Sequence, residues 1–176
     1  MGRAVCSTLS LTIRTVRGAA ETAVAAALYV RSGTASFTWR PDGHFLAADF
    51  TRFAEEEEVW LALLGDAPER DREVARQSNN EAAKSDLPLL GILSLFRPEN
   101  FIHCLYVDPD AQRLGVGKAL VAHVRKIVDA PLTLKLDVPN RRAIAFYEAT
   151  GWERMTGLDD QGVDDAGIKW ARYCLA

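Results

Sequence analysis

The chain has 176 residues, 48% hydrophobic and 26% charged, which is ample for a sizeable core and most simply one domain over residues 1–176. Lys and Arg number 21 against 24 Asp and Glu, a formal net charge of −3, which argues against a dedicated nucleic-acid-binding domain. The longest apolar stretch, Leu87 to Phe96, is broken by Pro88, Gly91 and Ser94 and is too short to span a bilayer.

The first residues lack a basic segment followed by an apolar run, so no signal peptide is expected. Cys6 stands where a myristoylation motif needs Ser or Thr. Cys6, Cys104 and Cys174 form no CxxC pair and no metal-ligand spacing, which reads as a cytoplasmic protein without metal. Cys104 beside His103 reads as a buried strand cysteine rather than a thiol or metal site.

Leu9 to Ile13 alternates apolar and hydroxyl side chains, as a first strand does. An Ala-rich helix is expected over about 19–32, stopped by Ser32-Gly33. A loop with Phe37, Trp39, Pro41 and Gly43 leads to a second helix over about 45–57. The run Glu55 to Glu58 reads as a solvated helix end before a strand, Val59 to Leu64. Residues 65–86 turn polar and charged, a long loop excursion between two strands.

Leu89 to Phe96 and Phe101 to Val107 read as strands joined by the turn Arg97-Pro98-Glu99-Asn100. Asp108-Pro109 ends the second, and a helix then runs to about Asp129. Leu132 to Val138 alternates as a strand, and a helix over Arg141 to Thr150 is capped by Gly151. Two last strands, about Trp152–Thr156 and Ile168–Leu175, enclose an acidic loop. Strands mixed with helices around one sheet give a mixed α/β fold.

The chemistry concentrates in Val107 to Leu120, VDPDAQRLGVGKAL. A strand ends, glycines open the turn, and a helix begins with unpaired N–H groups at its positive dipole end. This predicts a phosphate or pyrophosphate cradle, with Arg113 and Lys118 adding charge. A Walker loop fails twice, because its first Gly is replaced by Gln112 and its Ser or Thr by Ala119. A dinucleotide fingerprint is weakened by Leu120 at its third glycine position, although Asp137 suits its acidic residue. The bland alternative is an ordinary tight strand–helix junction.

QRLGVG after a strand ending in VDP resembles the acyl-CoA loop of the GNAT N-acetyltransferase superfamily, Gln/Arg-x-x-Gly-x-Gly/Ala. Asn140 to Trp152, NRRAIAFYEATGW, is similar to its second signature, Asn-x-x-Ala-x-x-Phe-Tyr-x-x-x-Gly-Phe. The resemblance implies a single acyl-CoA N-acyltransferase domain, a mixed splayed sheet of roughly six to seven strands flanked by about four helices. It implies acetyl-CoA as cosubstrate, with no metal. Backbone amides of Gln112, Arg113, Leu114, Gly115, Val116, Gly117 and Lys118 would hold the pyrophosphate. Main-chain groups of Leu105, Tyr106 and Val107 would pair with the pantetheine arm, and one N–H there could polarise the thioester carbonyl. Asn140 would bond the pantetheine, and Tyr147 would protonate the departing thiolate as a general acid.

Each residue also has a plain structural reading. Tyr147 could be a packing tyrosine, Asn140 a helix cap, and Tyr106 core. A proton acceptor is also needed. Many relatives use Glu, but the strand Phe101–Val107 has none, and Lys135 stands where some place one five residues before the Asn. His103 is the substitute, at a position where serotonin N-acetyltransferases carry His, and its imidazole titrates in the useful range. A His103 hydrogen-bonded within the sheet is the alternative.

The acceptor pocket is expected from the first two helices and the last strands. Tyr29, Phe37, Trp39 and Phe45 offer an aromatic wall, and Asp159, Asp160, Asp164 and Asp165 offer acid. Together they suit a small-molecule primary amine; otherwise they are core and a solvated hairpin loop. The rivals are a peptide or protein acetyltransferase acting on an N-terminus or lysine, a non-catalytic CoA-binding sensor, and more distantly a nucleotide-binding module. No nucleic-acid or membrane partner is expected, and exposed strand edges make a homodimer plausible.

Overall fold

The structure, a computed structural model, describes residues 9–65 and 87–176. Cys6 and nearly all of the expected loop excursion, 66–86, lie outside the described residues.

The elements follow the order β1 (Leu11–Thr15), α1 (Gly18–Ser36), α2 (Ala47–Glu56), β2 (Glu58–Leu64), β3 (Leu89–Phe96) and β4 (Phe101–Val107). Then come α3 (Val116–Ile127), β5 (Leu132–Asp137), α4 (Arg141–Ala149), β6 (Glu153–Arg154), β7 (Gln161–Val163) and β8 (Lys169–Leu175). The described strands form one mixed sheet in the order β1-β2-β3-β4-β5-β8-β6, with β7 also on β8. Four described helices cover it, as expected; the acidic loop contributes β7 as an extra short strand. Among the described residues no helix is long and apolar enough to cross a membrane.

Period-two alternation divides the side chains between two faces. Val59, Leu61, Leu63, Ile92 and Cys104 pack under α1 and α2, with Ala25, Leu28, Tyr29 and Phe50. Leu93, Leu95, Ile102, Leu132 and Leu134 pack under α3 and α4, against Leu120, Val124 and Tyr147. Burying each large apolar side chain is worth roughly 2 kcal/mol before chain entropy is counted. Gly91 lets α3 approach closely: a Cβ there would lie 2.8 Å from Val116 Cγ1 and 3.2 Å from the Tyr106 carbonyl oxygen.

Helix α1 does not stop at Ser32-Gly33 but continues to Ser36. The pair marks a close approach instead. Ser32 is buried and its hydroxyl donates to the Val107 carbonyl at 3.2 Å. A Cβ on Gly33 would fall 2.5 Å from the Phe45 ring. Helix α3 ends at Ile127, with Val128 already extended.

The site is positioned by β4 and β5, the only parallel pair among the described strands. They register at just two places, Phe101↔Thr133 and Ile102↔Leu134. On its other edge β4 pairs Cys104 with Ser94 and Ile102 with Leu95, so His103 is an extra, bulged residue. A bulge bends its strand, and here it falls where pairing to β5 stops. From His103 to Val107 the β5-facing edge of β4 is unpaired over about 13 Å of strand, which leaves a cleft between the two strands.

Candidate active site

At the mouth of this cleft the chain leaves β4 through a 3₁₀ turn, Pro109–Ala111, and enters α3 at Gly115. Asp108 stabilises the turn by accepting from Asp110 N at 3.0 Å, and also pairs with Arg31. Gly115 has φ 87° and no capping side chain. The first bond of the helix runs from Ala119 N to Gly115 O at 2.9 Å. The N–H groups of Val116, Gly117 and Lys118 are therefore left for a ligand or water. A Cβ on Gly115 would meet nothing within 4 Å. Open space before unclaimed donors fits a pyrophosphate. Leu114 is exposed while Val116 is buried under the helix, so only their main chains are common to the cradle. Arg113 also has positive φ, 66°, and Gln112 Oε1 accepts from Arg142 Nη2 at 2.8 Å, tying the loop to α4.

The second signature lies along the same cleft. Asn140 caps α4, its Oδ1 accepting from Ala143 N at 3.1 Å, which leaves its amide NH2 without a partner among the described residues. Phe146 packs by the loop: a Cβ on Gly117 would lie 3.6 Å from Phe146 Cζ and 3.5 Å from Val107 Cγ2. Tyr147 is buried, its ring 5.0 Å from Phe146 and 5.2 Å from Trp152. Its hydroxyl has no hydrogen-bond partner among the described residues. Burial pushes this phenol well above its usual range, and the nearby Cys104 adds to the rise. Tyr106 is raised likewise by burial, with Cys104, Tyr29, Asp137 and Tyr147 contributing. Cys104 thus lies among these groups, its thiol pushed up to about 12 by burial, with the Ser94 hydroxyl acting in the opposite direction.

His103 sits at the apex of the cleft, on the α2 side of the sheet. Its ring centroid is 4.2 Å from that of Phe53. Its Nδ1 lies 2.7 Å from Glu57 Oε1. Glu57 belongs to the run expected to be solvated, yet its side chain is only 7% exposed, against 39% for His103. The turn from α2 into β2 folds Glu57 inward, and Glu57 Oε2 is buried with no hydrogen-bond partner. No local sequence signal points to this pair, because 46 residues separate its members. A cavity of about 340 Å³ opens beside it, lined by Arg52, Phe53, Glu56, Glu57, Phe96, Phe101 and His103.

The expected aromatic wall is largely core. Tyr29 and Phe45 are buried and meet edge-on at 5.4 Å, and Tyr29 meets Tyr106 at 5.2 Å. Trp39 Nε1 donates to Asp137 Oδ2 at 2.9 Å. Asp164 pairs with Arg40 and accepts from Ile168 N at 2.8 Å, while Asp160 accepts from Gly157 N at 2.9 Å. Lys135 stacks its ammonium 4.3 Å from the centre of the Trp170 ring. The expected aromatics therefore pack among themselves and on Asp137, and Asp160 and Asp164 are tied to backbone and to Arg40. The strand edge Leu105–Val107 leads into the loop Gln112–Lys118, which Arg142 of α4 ties to the helix that Asn140 caps. Tyr147 packs on the α3 face of the sheet and His103 on the α2 face.

The sequence model of the Acetyltransferase (GNAT) family matches residues 38–152, most of the chain and all of the cleft. The chain belongs to the GNAT acetyltransferase family. The peptidyl-lysine N-acetyltransferase YjaB of Escherichia coli is 36% identical over 72 residues, 41% of this chain. This match spans less than half of that relative, 46%. A mycothiol acetyltransferase of Geodermatophilus obscurus is 37% identical over 57 residues, 30% of this chain and 18% of its own. The solution structure of apo YjaB from Escherichia coli superposes with a TM-score of 0.68 at 22% identity, covering 94% of this chain and 97% of that one. The PaiA N-acetyltransferase of Thermoplasma acidophilum, solved with coenzyme A, superposes at 0.63 with 14% identity, covering 93% and 98%. At these identities the structural matches establish the GNAT fold.

Proposed function

We propose that this GNAT protein is an N-acetyltransferase that moves an acetyl group from acetyl-CoA to a primary amine by direct attack. The observation that carries the reading is the unpaired edge of β4, which runs up to a helix N-terminus with free N–H groups.

In this reading the N–H groups from Arg113 to Lys118 hold the pyrophosphate, which the dipole of α3 and the charge of Lys118 favour. The main chain of Leu105 to Val107 and the free amide of Asn140 hold the pantetheine arm in the gap that β5 leaves. Ser32 already occupies the Val107 carbonyl, so the remaining groups of that edge carry the pairing. Bound acetyl-CoA supplies an activated thioester, and no enzyme-bound acyl group is required. Tyr147 keeps its proton at any physiological pH, because burial disfavours its anion. It is thereby held in its acid form beside the leaving thiolate, while the same burial makes it a weaker acid than a free phenol.

For the acceptor, a small-molecule amine remains the first reading. A peptide-borne lysine is the second, favoured by the naming of the YjaB relative as a peptidyl-lysine N-acetyltransferase. Calorimetric titration with acetyl-CoA, with CoA, NAD and ATP as controls, tests the donor. Tight binding of acetyl-CoA and CoA, with none of NAD or ATP, supports the reading; failure of every acyl-CoA to bind overturns it. A panel of amines and lysine peptides, followed by release of free CoA thiol, then identifies the acceptor class.

A further inference from the structure

We propose that Glu57, His103 and the cavity beneath α2 form the acceptor subsite, taking an alkylammonium group with an apolar stem, and that Glu57 positions His103 as the proton acceptor. The proposal rests on the acetyltransfer reading above and assigns the half of the reaction that reading leaves open.

Three independent observations meet here. The first is position. His103 is the first residue of β4 beyond its last pairing with β5, and it is the bulged one. A chain laid along β4 from the glycine loop reaches His103 at the far end of the open edge. The second is the pair. A carboxylate only accepts, so the 2.7 Å contact to Glu57 Oε1 places the hydrogen on Nδ1 of the neutral imidazole. Nε2, without a partner among the described residues, is then the basic nitrogen. The third is the cavity. Its apolar walls are Phe53, Phe96 and Phe101, and its charged members Glu56 and Glu57 outnumber Arg52. The Glu57 carboxylate is more than nine-tenths buried and its second oxygen lacks a donor, an arrangement that a nearby cation stabilises. Aromatic faces with acid at one end suit an ammonium on an alkyl stem.

The protons balance. An ammonium that becomes an amide loses two. One passes to Nε2 of His103, whose imidazolium is held by Glu57, and leaves for solvent. The nitrogen lone pair then forms the C–N bond as the C–S bond breaks, and the second proton ends on the CoA sulfur through Tyr147.

The probe is n-butylamine, with n-butanol as its uncharged counterpart. Imidazole NMR signals of His103 should shift with n-butylammonium and not with n-butanol. In steady-state acetylation of n-butylamine, Glu57→Gln should lower kcat on the order of a hundredfold, with acetyl-CoA affinity unchanged. In a His103→Gln background, Glu57→Gln should add no further loss, since Glu57 acts through His103; a purely structural role would give additive losses. The proposal is overturned if Glu57→Gln leaves kcat intact, if the two losses add, or if n-butanol shifts His103 as strongly as the amine. Specific n-butylammonium shifts in a protein that binds no acyl-CoA would overturn the acetyltransfer reading while supporting the pocket.

Discussion

Arg40 grips Asp137 at two points: Nη2 lies 2.6 Å from Oδ1 and Nε lies 2.9 Å from Oδ2. Arg40 follows α1, which packs on β4, whereas Asp137 ends β5, the strand that has splayed from β4 by this point. The pair is a second link between the two halves of the sheet, across the open end of the cleft. Trp39 adds a donor to Asp137, and Asp164 holds the remaining face of the guanidinium. Both side chains of the pair are 11% exposed. Removing Arg40 strands a largely buried carboxylate, so Arg40→Ala should cost about 2 kcal/mol in urea denaturation. Arg40→Lys should recover little of it, because an ammonium cannot bond both oxygens and Asp164 together. Equal stability of Arg40→Lys and the parent chain would refute the link.

Gly115 makes a second test. Its φ of 87° penalises any side chain, and a Cβ would project into the open space of the cradle. Gly115→Val should weaken acetyl-CoA binding at least tenfold by calorimetry while the fold survives, since nothing packed is displaced. Gly91→Ala should do the reverse. Its Cβ would press on Val116 and on the Tyr106 carbonyl, forcing α3 away and lowering the melting temperature. Overpacking of this kind typically costs about 1–3 kcal/mol. A Gly91→Ala chain as stable as its parent would show that α3 is not held as tightly as its contacts imply.

The contrast between Gly115 and Gly91 also shows what the sequence could tell. Gly115 stands in a local motif, and local motifs were legible: the loop, the cap Asn140, the strands from β3 to β5 and the α4 signature all follow from neighbouring residues. Gly91, Ser32 and Gly33 are small because a distant element approaches them, which no window of sequence displays. Ser32-Gly33 therefore read as a helix stop when it is a contact point for Val107 and Phe45. The same limit hid Glu57. Four consecutive glutamates read as a solvated helix end, and only the reversal from α2 into β2 turns one of them inward to His103. The aromatic residues of the first half were equally ambiguous. Tyr29 and Phe45 could line a pocket or a core, and burial decided for the core.

Tyr147 separates a packing role from a chemical one. Its ring is wedged between Phe146 and Trp152, but its hydroxyl makes no hydrogen bond among the described residues. Phe keeps the packed ring and removes only a hydroxyl that bonds no described residue, so Tyr147→Phe should leave the urea midpoint essentially unchanged. Turnover should still fall by about tenfold or more if the hydroxyl donates the leaving-group proton. Acetyl-CoA affinity should hold. A stable variant with full turnover would remove Tyr147 from the mechanism and leave it a packing residue.

Acid stability follows from two carboxylates. Glu21 is held below the usual carboxylate range by its hydrogen bond from Arg14, against the opposing effect of burial, with help from the Arg17 N–H. Asp164 is lowered by its hydrogen bond from Arg40 and then by the Ile168 N–H. Both groups are depressed in the folded state, so the folded chain binds fewer protons than the unfolded one. Their stabilisation is fully present above the unfolded values, about 4 for such carboxylates. It is lost as pH falls from there through the lower folded values. Urea midpoints should therefore hold steady from pH 7 to about 5 as far as these groups are concerned, then drop toward pH 3. Arg14→Ala and Arg40→Ala remove the groups that depress Glu21 and Asp164. Each variant should start less stable at pH 7 and lose less between pH 5 and 3 than the parent chain. Parallel acid profiles for parent and variants would mean that neither ion pair survives unfolding-relevant fluctuations in solution.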